Sequence, residues 1–168
     1  MGIFASSRKK KPEESPGTEL GVGVVYFCQG KLDEAVGEFF RKGINSGADG
    51  HNNLGLAYVL QGKLDEAVGE YRKALRINPN LAYAHNNLGL AYSHQGKLDE
   101  ALREYREALG IDPDYALAHV CLGNTYKSQA KHKEAIESYQ VFMWLAPPQY
   151  VSYIKQAEET ICELRQRI

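Results

Sequence analysis

Three histidines, His51, His85 and His119, recur at intervals of 34 residues and are the first candidates for chemistry in this chain. Histidine is the commonest metal ligand, so the pattern raises the hypothesis of a metal site. Zinc, however, needs its nitrogen ligands about 2.0–2.1 Å from one point, whereas neighbouring helices pack about 8–10 Å apart. The spacing therefore favours rings packed between repeated elements, and we predict no metal site.

The other reactive residue types form no catalytic pattern in the sequence. Cys28, Cys121 and Cys162 lie far apart, without a CxxC pair, which is typical of thiols in a reducing compartment and predicts a cytoplasmic protein. The sequence has no nucleophile–base pair, glycine-rich phosphate loop or metal-ligand motif. We therefore predict a protein that is not an enzyme and needs no cofactor.

The length, charge and apolar content of the chain indicate which kinds of partner to expect. The chain has 168 residues, a net charge of −1 and 43% hydrophobic residues, as expected of one globular domain. A near-neutral chain lacks the basic surface that phosphate binding needs, so nucleic acid is not the predicted partner. The sequence has no apolar run of about 18 residues, and we predict no transmembrane helix.

The elements that hold the histidines repeat with the same period. Residues 48–81 and 82–115 are identical at 23 of 34 positions, and 116–149 follow the same pattern. We call these the second, third and fourth units. A fixed period of this size predicts stacked helix pairs, in which each unit buries its apolar face on its neighbour.

Seven positions recur in each unit, and in the second unit they are His51, Leu54, Gly55, Tyr58, Ala67, Tyr71 and Pro79. On these positions the chain resembles the tetratricopeptide repeat family over residues 48–149. The resemblance implies an all-α fold, a right-handed superhelix of helix pairs with a concave face that binds peptides.

Local signals place the helices of the second unit at about 48–60 and 64–77. Gly55 and Ala67 are small, which we attribute to a close approach of the two helix backbones. Gly62 fits a helix end, and Pro79 ends the unit because proline cannot continue a helix.

The segments outside these units differ in character. Residues 17–47 resemble a degenerate first unit, with Val24 and Phe27 at an apolar end of the groove. Residues 1–16 form a flexible basic tail, and Gly2 and Ser6 fit the myristoylation pattern beside four basic residues at 8–11. The tail is thus either an unmodified leader or a membrane anchor, and it is the one segment from which we predict membrane contact.

A last segment, 150–168, carries an apolar seam at helical spacing, formed by Tyr150, Ile154, Ala157, Ile161, Leu164 and Ile168. We predict a C-terminal capping helix that packs on the fourth unit. A second interpretation is that the seam pairs with another chain, since its spacing also fits heptads.

The resemblance also implies which residues face the concave groove. Asn53 and Asn87 occupy one position in successive units, which is similar to the asparagine ladder of arrays in the O-linked N-acetylglucosamine transferase family. They either contact a peptide backbone or form hydrogen bonds within the array. Positions that hold lysine, arginine or asparagine in carboxylate-binding relatives hold Asn52, Leu56, Asn87, Leu117 and Cys121 here. Only asparagine fits that pattern and no cation is present, so we predict no carboxylate clamp. The predicted peptide-contact residues are Asn53, Leu56, Tyr83, Asn87, Leu90, Asn124 and Lys127.

We therefore predict a non-enzymatic adaptor or scaffold that binds a protein or peptide in the groove. The alternative is a self-assembling scaffold that pairs through the groove end and the C-terminal helix.

Overall fold

The computed structural model describes residues 32–43, 47–147 and 150–168, and these residues form helices joined by short turns. The predicted basic tail, Val24, Phe27 and Cys28 lie outside the described residues. In chain order the helices are α1 Leu32–Gly43, α2 Ala48–Leu60, α3 Leu64–Ile77, α4 Ala82–His94, α5 Leu98–Ile111, α6 Ala116–Ser128, α7 His132–Leu145 and α8 Val151–Arg165. The all-α fold is confirmed, and α2 and α3 begin and end at the predicted residues.

The helices stack as antiparallel pairs. Within the three units, α2 packs on α3, α4 on α5 and α6 on α7, and each second helix also packs on the first helix of the next unit. The first helices additionally contact each other, α2 with α4 and α4 with α6. Successive second helices do not pack in this way within the described part of the chain, so the first helices form the inner, concave layer.

Each pair is held by a tyrosine ring that lies on a glycine. A Cβ atom added at Gly89 would lie 2.7 Å from Cε1 of Tyr105 and 3.1 Å from the backbone oxygen of Ala101. Gly55 and Gly123 meet Tyr71 and Tyr139 in the same way. The sequence interpretation is therefore corrected in part, because the space at this glycine is filled mainly by an aromatic ring rather than by backbone.

The turns inside the units use a left-handed residue. Gly62 and Gly96 each have a φ of 74°, and the backbone N–H of Lys63 donates to the carbonyl of Tyr58 at 2.9 Å, which ends α2. In the fourth unit the same position is Ala130, with a φ of 56°.

The C-terminal helix α8 packs on α7 through the predicted seam. Ala157, Ile161 and Leu164 are buried and join Tyr139 and Phe142 in one cluster. Ile168 is 62% exposed. In this arrangement the central residues of the seam contact the chain's own fourth unit, so a second chain meets them only if α8 moves.

Candidate functional site: the concave face

The candidate site is the open side of the first helices, which we call the groove face. Its side chains follow one stripe at helical spacing on each of the three helices. The stripe consists of Asp49, Asn53, Leu56 and Leu60 on α2, of Tyr83, Asn87, Leu90 and His94 on α4, and of Leu117, Cys121, Asn124 and Ser128 on α6. The remaining sides of α4 and α6 are covered by the second helices and by the neighbouring first helices.

Two side-chain hydrogen bonds cross the groove face between α2 and α4. The hydroxyl of Tyr83 donates to Oδ1 of Asp49, and Nδ2 of Asn87 donates to Oδ1 of Asn52 at 3.0 Å. Asn52 is buried, so this bond satisfies an acceptor that water does not reach. Both bonds join positions in consecutive units and fix the distance between α2 and α4.

The same positions between α4 and α6 hold different residues. Leu117 replaces Tyr83, and Cys121 replaces Asn87. Burial raises the pKa of the Cys121 thiol to about 11, so the side chain stays neutral at physiological pH. The side-chain hydrogen bonds that join the second and third units are therefore not repeated at the next boundary between units, the one between the third and fourth.

The predicted contact residues all lie on first helices but differ in accessibility. Asn53 is 8% exposed, and Leu56 is half-buried against the core. Tyr83 and Asn87 are half-buried, whereas Leu90 is 37% exposed.

Two further predicted residues, Asn124 and Lys127, lie on α6, and both are exposed. Oδ1 of Asn124 accepts a hydrogen bond from the Tyr139 hydroxyl at 2.7 Å, which orients the amide. The accessible part of the predicted set is thus concentrated on α4 and α6.

Away from the groove face, each boundary between units is joined by two hydrogen bonds that repeat along the chain. Nη2 of Arg72 donates to the Tyr92 hydroxyl at 2.6 Å, and Nη2 of Arg106 donates to the Tyr126 hydroxyl at 2.9 Å. Gln95 and Gln129 donate to Asp65 and Asp99 at 2.8 Å and 2.9 Å, respectively. Both boundaries are therefore connected alike away from the groove.

The repeated histidines join the two helices of a unit. Nδ1 of His85 lies 2.9 Å from Oε2 of Glu104, and its Nε2 lies 3.1 Å from the carbonyl oxygen of Pro79. Both neighbours are acceptors, so the doubly protonated ring is the form that satisfies them. The hydrogen bond to Glu104 is the main cause that raises the pKa of His85.

A second histidine pair follows the same geometry, with Nδ1 of His51 2.7 Å from Oε2 of Glu70. These pairs were not predicted from the sequence, although glutamate follows histidine by 19 residues in two units. In the fourth unit the acid is replaced by Ser138, and Nε2 of His119 retains the contact with the Pro113 carbonyl at 3.1 Å.

Within residues 32–43, 47–147 and 150–168, no cluster of three or more histidine, cysteine or acidic side chains could hold a metal ion. A membrane-spanning helix is likewise absent from that part of the chain, where every helix is too short or too polar.

These features define a class of protein, an α-solenoid of helix pairs with one concave face. The TPR repeat family model matches residues 55–96 and 92–130. The array formed by residues 55–130 therefore belongs to the tetratricopeptide repeat family.

Solved structures show the same fold. TTC0263, a thermophilic TPR protein of Thermus thermophilus, has a TM-score of 0.73 at 21% identity, over 89% of this chain and 82% of that chain. The Arabidopsis OM64 TPR domain has a TM-score of 0.66 at 21% identity, over 72% and 96% of the two chains. The first TPR of Spaghetti (RPAP3), bound to the HSP90 peptide SRMEEVD, has a TM-score of 0.65 at 24% identity, over 71% and 91%. A search of curated proteins found no match.

Proposed function

We propose that this protein is a non-enzymatic adaptor that binds a peptide segment on its groove face. The observation that carries the proposal is the accessible stripe on α4 and α6, where Leu90 and Asn124 reach solvent instead of completing the core. Side chains that the fold does not need for packing are free to contact a ligand. The peptide-bound Spaghetti domain supports the proposal by showing that this fold accommodates a peptide.

The chemistry of the groove face favours a ligand with apolar side chains and little charge. Leu90 and Leu117 offer apolar contacts, and Asn124 offers an amide that can pair with a peptide backbone. The Asp49 carboxylate already accepts a hydrogen bond from the Tyr83 hydroxyl. The ligand class that fits is a mainly neutral peptide segment with exposed backbone amides.

An acidic peptide fits the groove face poorly. Positions that would neutralise a terminal carboxylate hold Asn52, Asn87 and Cys121, of which the first two bond to each other. We therefore expect the peptide SRMEEVD, the ligand of the Spaghetti domain, to bind this chain more weakly than a neutral peptide selected on it.

The test uses two apolar residues of equal exposure on opposite sides. Leu90 on α4 and Ile111 at the end of α5 are both 37% exposed. A random 12-residue peptide library is selected on the immobilised full chain, and the recovered peptides are titrated against Leu90→Ser and Ile111→Ser. We expect a loss of at least about fivefold for Leu90→Ser, on the order of 1 kcal/mol of buried apolar contact, and no change for Ile111→Ser. Equal affinities of the two variants would exclude the groove face.

The alternative, self-assembly, is favoured by a different surface. Trp144 is 82% exposed and Val141, one turn before it on α7, is 39% exposed. An apolar pair of this kind is a candidate contact between copies. Its test is the molar mass as a function of concentration.

A further inference from the structure

The two boundaries of the groove face, between α2 and α4 and between α4 and α6, differ at two hydrogen bonds, and one of them has a buried acceptor. Between α2 and α4, the Asn52 Oδ1 atom accepts from Asn87 at 3.0 Å. Between α4 and α6, Asn86 stands at the position of Asn52, and Cys121 stands at the position of Asn87. The acceptor is thus repeated in the third unit, but its donor is not repeated in the fourth.

This replacement leaves a buried acceptor unsatisfied. Asn86 is 4% exposed, and its Oδ1 atom has no hydrogen-bond partner among the residues that the structure describes. A thiol is only a weak donor and does not replace the amide. A buried acceptor without a partner is unfavourable, so any donor that reaches it gains more than it would at an exposed site.

Two leucines of the groove face lie one helical turn from Asn86 and from Cys121. Leu90 is 37% exposed one turn further along α4, and Leu117 lies one turn before Cys121 on α6. On the other side the boundary keeps the Arg106–Tyr126 and Gln129–Asp99 bonds. The side-chain bond between first helices is therefore missing at this boundary, while the outer contacts are kept.

We propose that the groove selects its ligand at this boundary, where Oδ1 of Asn86 accepts an N–H of a bound peptide whose neighbouring apolar side chain packs on Leu90 and Leu117. The peptide enters as the Cys121 side of the boundary moves away from Asn86. This inference rests on the proposed function, and it adds the place and the chemistry of recognition. The corresponding acceptor of the second unit, Asn52, is already occupied by Asn87.

The chain provides the substitution that tests the proposal. Cys121→Asn places at the α4–α6 boundary the same donor that Asn87 supplies at the α2–α4 boundary. Cys121→Ala removes the thiol without adding a donor, and it is the matched control. Asn86→Leu removes the acceptor itself and serves as a second variant.

In the free protein, we expect Cys121→Asn to slow amide hydrogen exchange in α6 by about fivefold, the factor for one net hydrogen bond of about 1 kcal/mol. Cys121→Ala is expected to give no such slowing. An unchanged or faster exchange in Cys121→Asn would overturn the assignment of the missing bond, and with it the proposal.

In the binding experiment, the probes are the peptides selected from the random library on the wild-type chain. We expect Cys121→Asn and Asn86→Leu to weaken binding at least fivefold, and Ile111→Ser, outside the groove face, to stay within twofold of wild type. If Leu90→Ser loses binding but Cys121→Asn does not, this inference fails and the proposed function stands. If no peptide is recovered, or if Leu90→Ser binds like wild type, the proposed function fails, and this inference fails as well.

Discussion

Ala130 occupies the turn position that glycine occupies in the two preceding units. Its φ of 56° lies in the left-handed region, and Gly62 and Gly96 have a φ of 74°. An L-residue with a side chain is unfavourable there by about 1–2 kcal/mol, partly offset by the larger entropy that glycine loses on folding. The fourth unit therefore contains a strained turn that the others avoid.

We expect Ala130→Gly to raise the free energy of unfolding by about 0.5–1 kcal/mol, the difference between these two effects. Urea unfolding followed by circular dichroism measures the change. The reverse substitution, Gly96→Ala, is the matched control and should destabilise the protein, although a Cβ at Gly96 has no atom within 4 Å. A stabilising Gly96→Ala would contradict the backbone explanation.

His85 makes the stability of the third unit depend on pH. Its ring lies between the Glu104 carboxylate and the Pro79 carbonyl, and the hydrogen bond to Glu104 raises its pKa. The folded chain thus holds the proton more tightly than the unfolded chain. The stabilisation is complete below the ordinary histidine pKa of about 6.5, and it is lost as the pH rises through the folded-state value.

We expect Glu104→Gln to lower the pKa of His85 and to flatten this dependence. NMR titration of the His85 ring and urea unfolding between about pH 5 and 9 measure the two effects. Glu66→Gln, at an exposed position of the second unit, is the control and should leave both unchanged. A His85 pKa that is the same in wild type and Glu104→Gln would contradict the assignment.

At the scale of the helices, the glycine–tyrosine contact sets how closely the two helices of a unit approach. A Cβ at Gly89 would overlap the Tyr105 ring at 2.7 Å, and the ring is buried and cannot move into solvent. Gly69 lies inside α3, and a Cβ there has no atom within 4 Å. The two glycines therefore test packing and helix propensity separately.

We expect Gly89→Ala to destabilise the protein by about 1–3 kcal/mol through overpacking. Gly69→Ala should instead stabilise it by about 0.5–1 kcal/mol, since alanine favours the helix more than glycine. Thermal and urea unfolding of both variants give the comparison. Similar effects of the two substitutions would show that the glycine–tyrosine contact does not determine the spacing.

The helices themselves could be predicted from the sequence because their signals are local. Gly62 and Pro79 mark the ends of helices, and the 34-residue period fixes the order of the elements. The contacts on the groove face could not be predicted in the same way. The Asn87–Asn52 bond and its absence at Asn86 depend on how α4 sits between its neighbours, which is a property of the packed array.

For the groove residues, too, the sequence predicts the positions, whereas packing determines how exposed each side chain is. The family resemblance predicts which face binds a ligand, but it does not give the exposed fraction of each side chain. Asn53 and Asn87 are equivalent in the sequence, yet Asn53 is buried, whereas Asn87 is half-buried and donates to Asn52. The proposed recognition therefore moves from the asparagine ladder towards α4 and α6.

At the scale of the whole molecule, the adaptor and the self-assembling scaffold differ in how the mass depends on concentration. In this structure α8 covers the fourth unit with Ala157, Ile161 and Leu164. We expect light scattering over a hundredfold concentration range to give a constant monomer mass. A mass that rises with concentration and falls again in Trp144→Ser would favour self-assembly through α7.

A hydrogen-exchange footprint of the full chain, with and without a peptide selected on it, shows which helices the ligand contacts. If the groove face is the binding surface, the peptide protects amides of α4 and α6, and the outer helices α3 and α5 change little. Protection confined to α3, α5 or α7 would place the ligand on the convex side of the array and exclude the groove face as the binding surface.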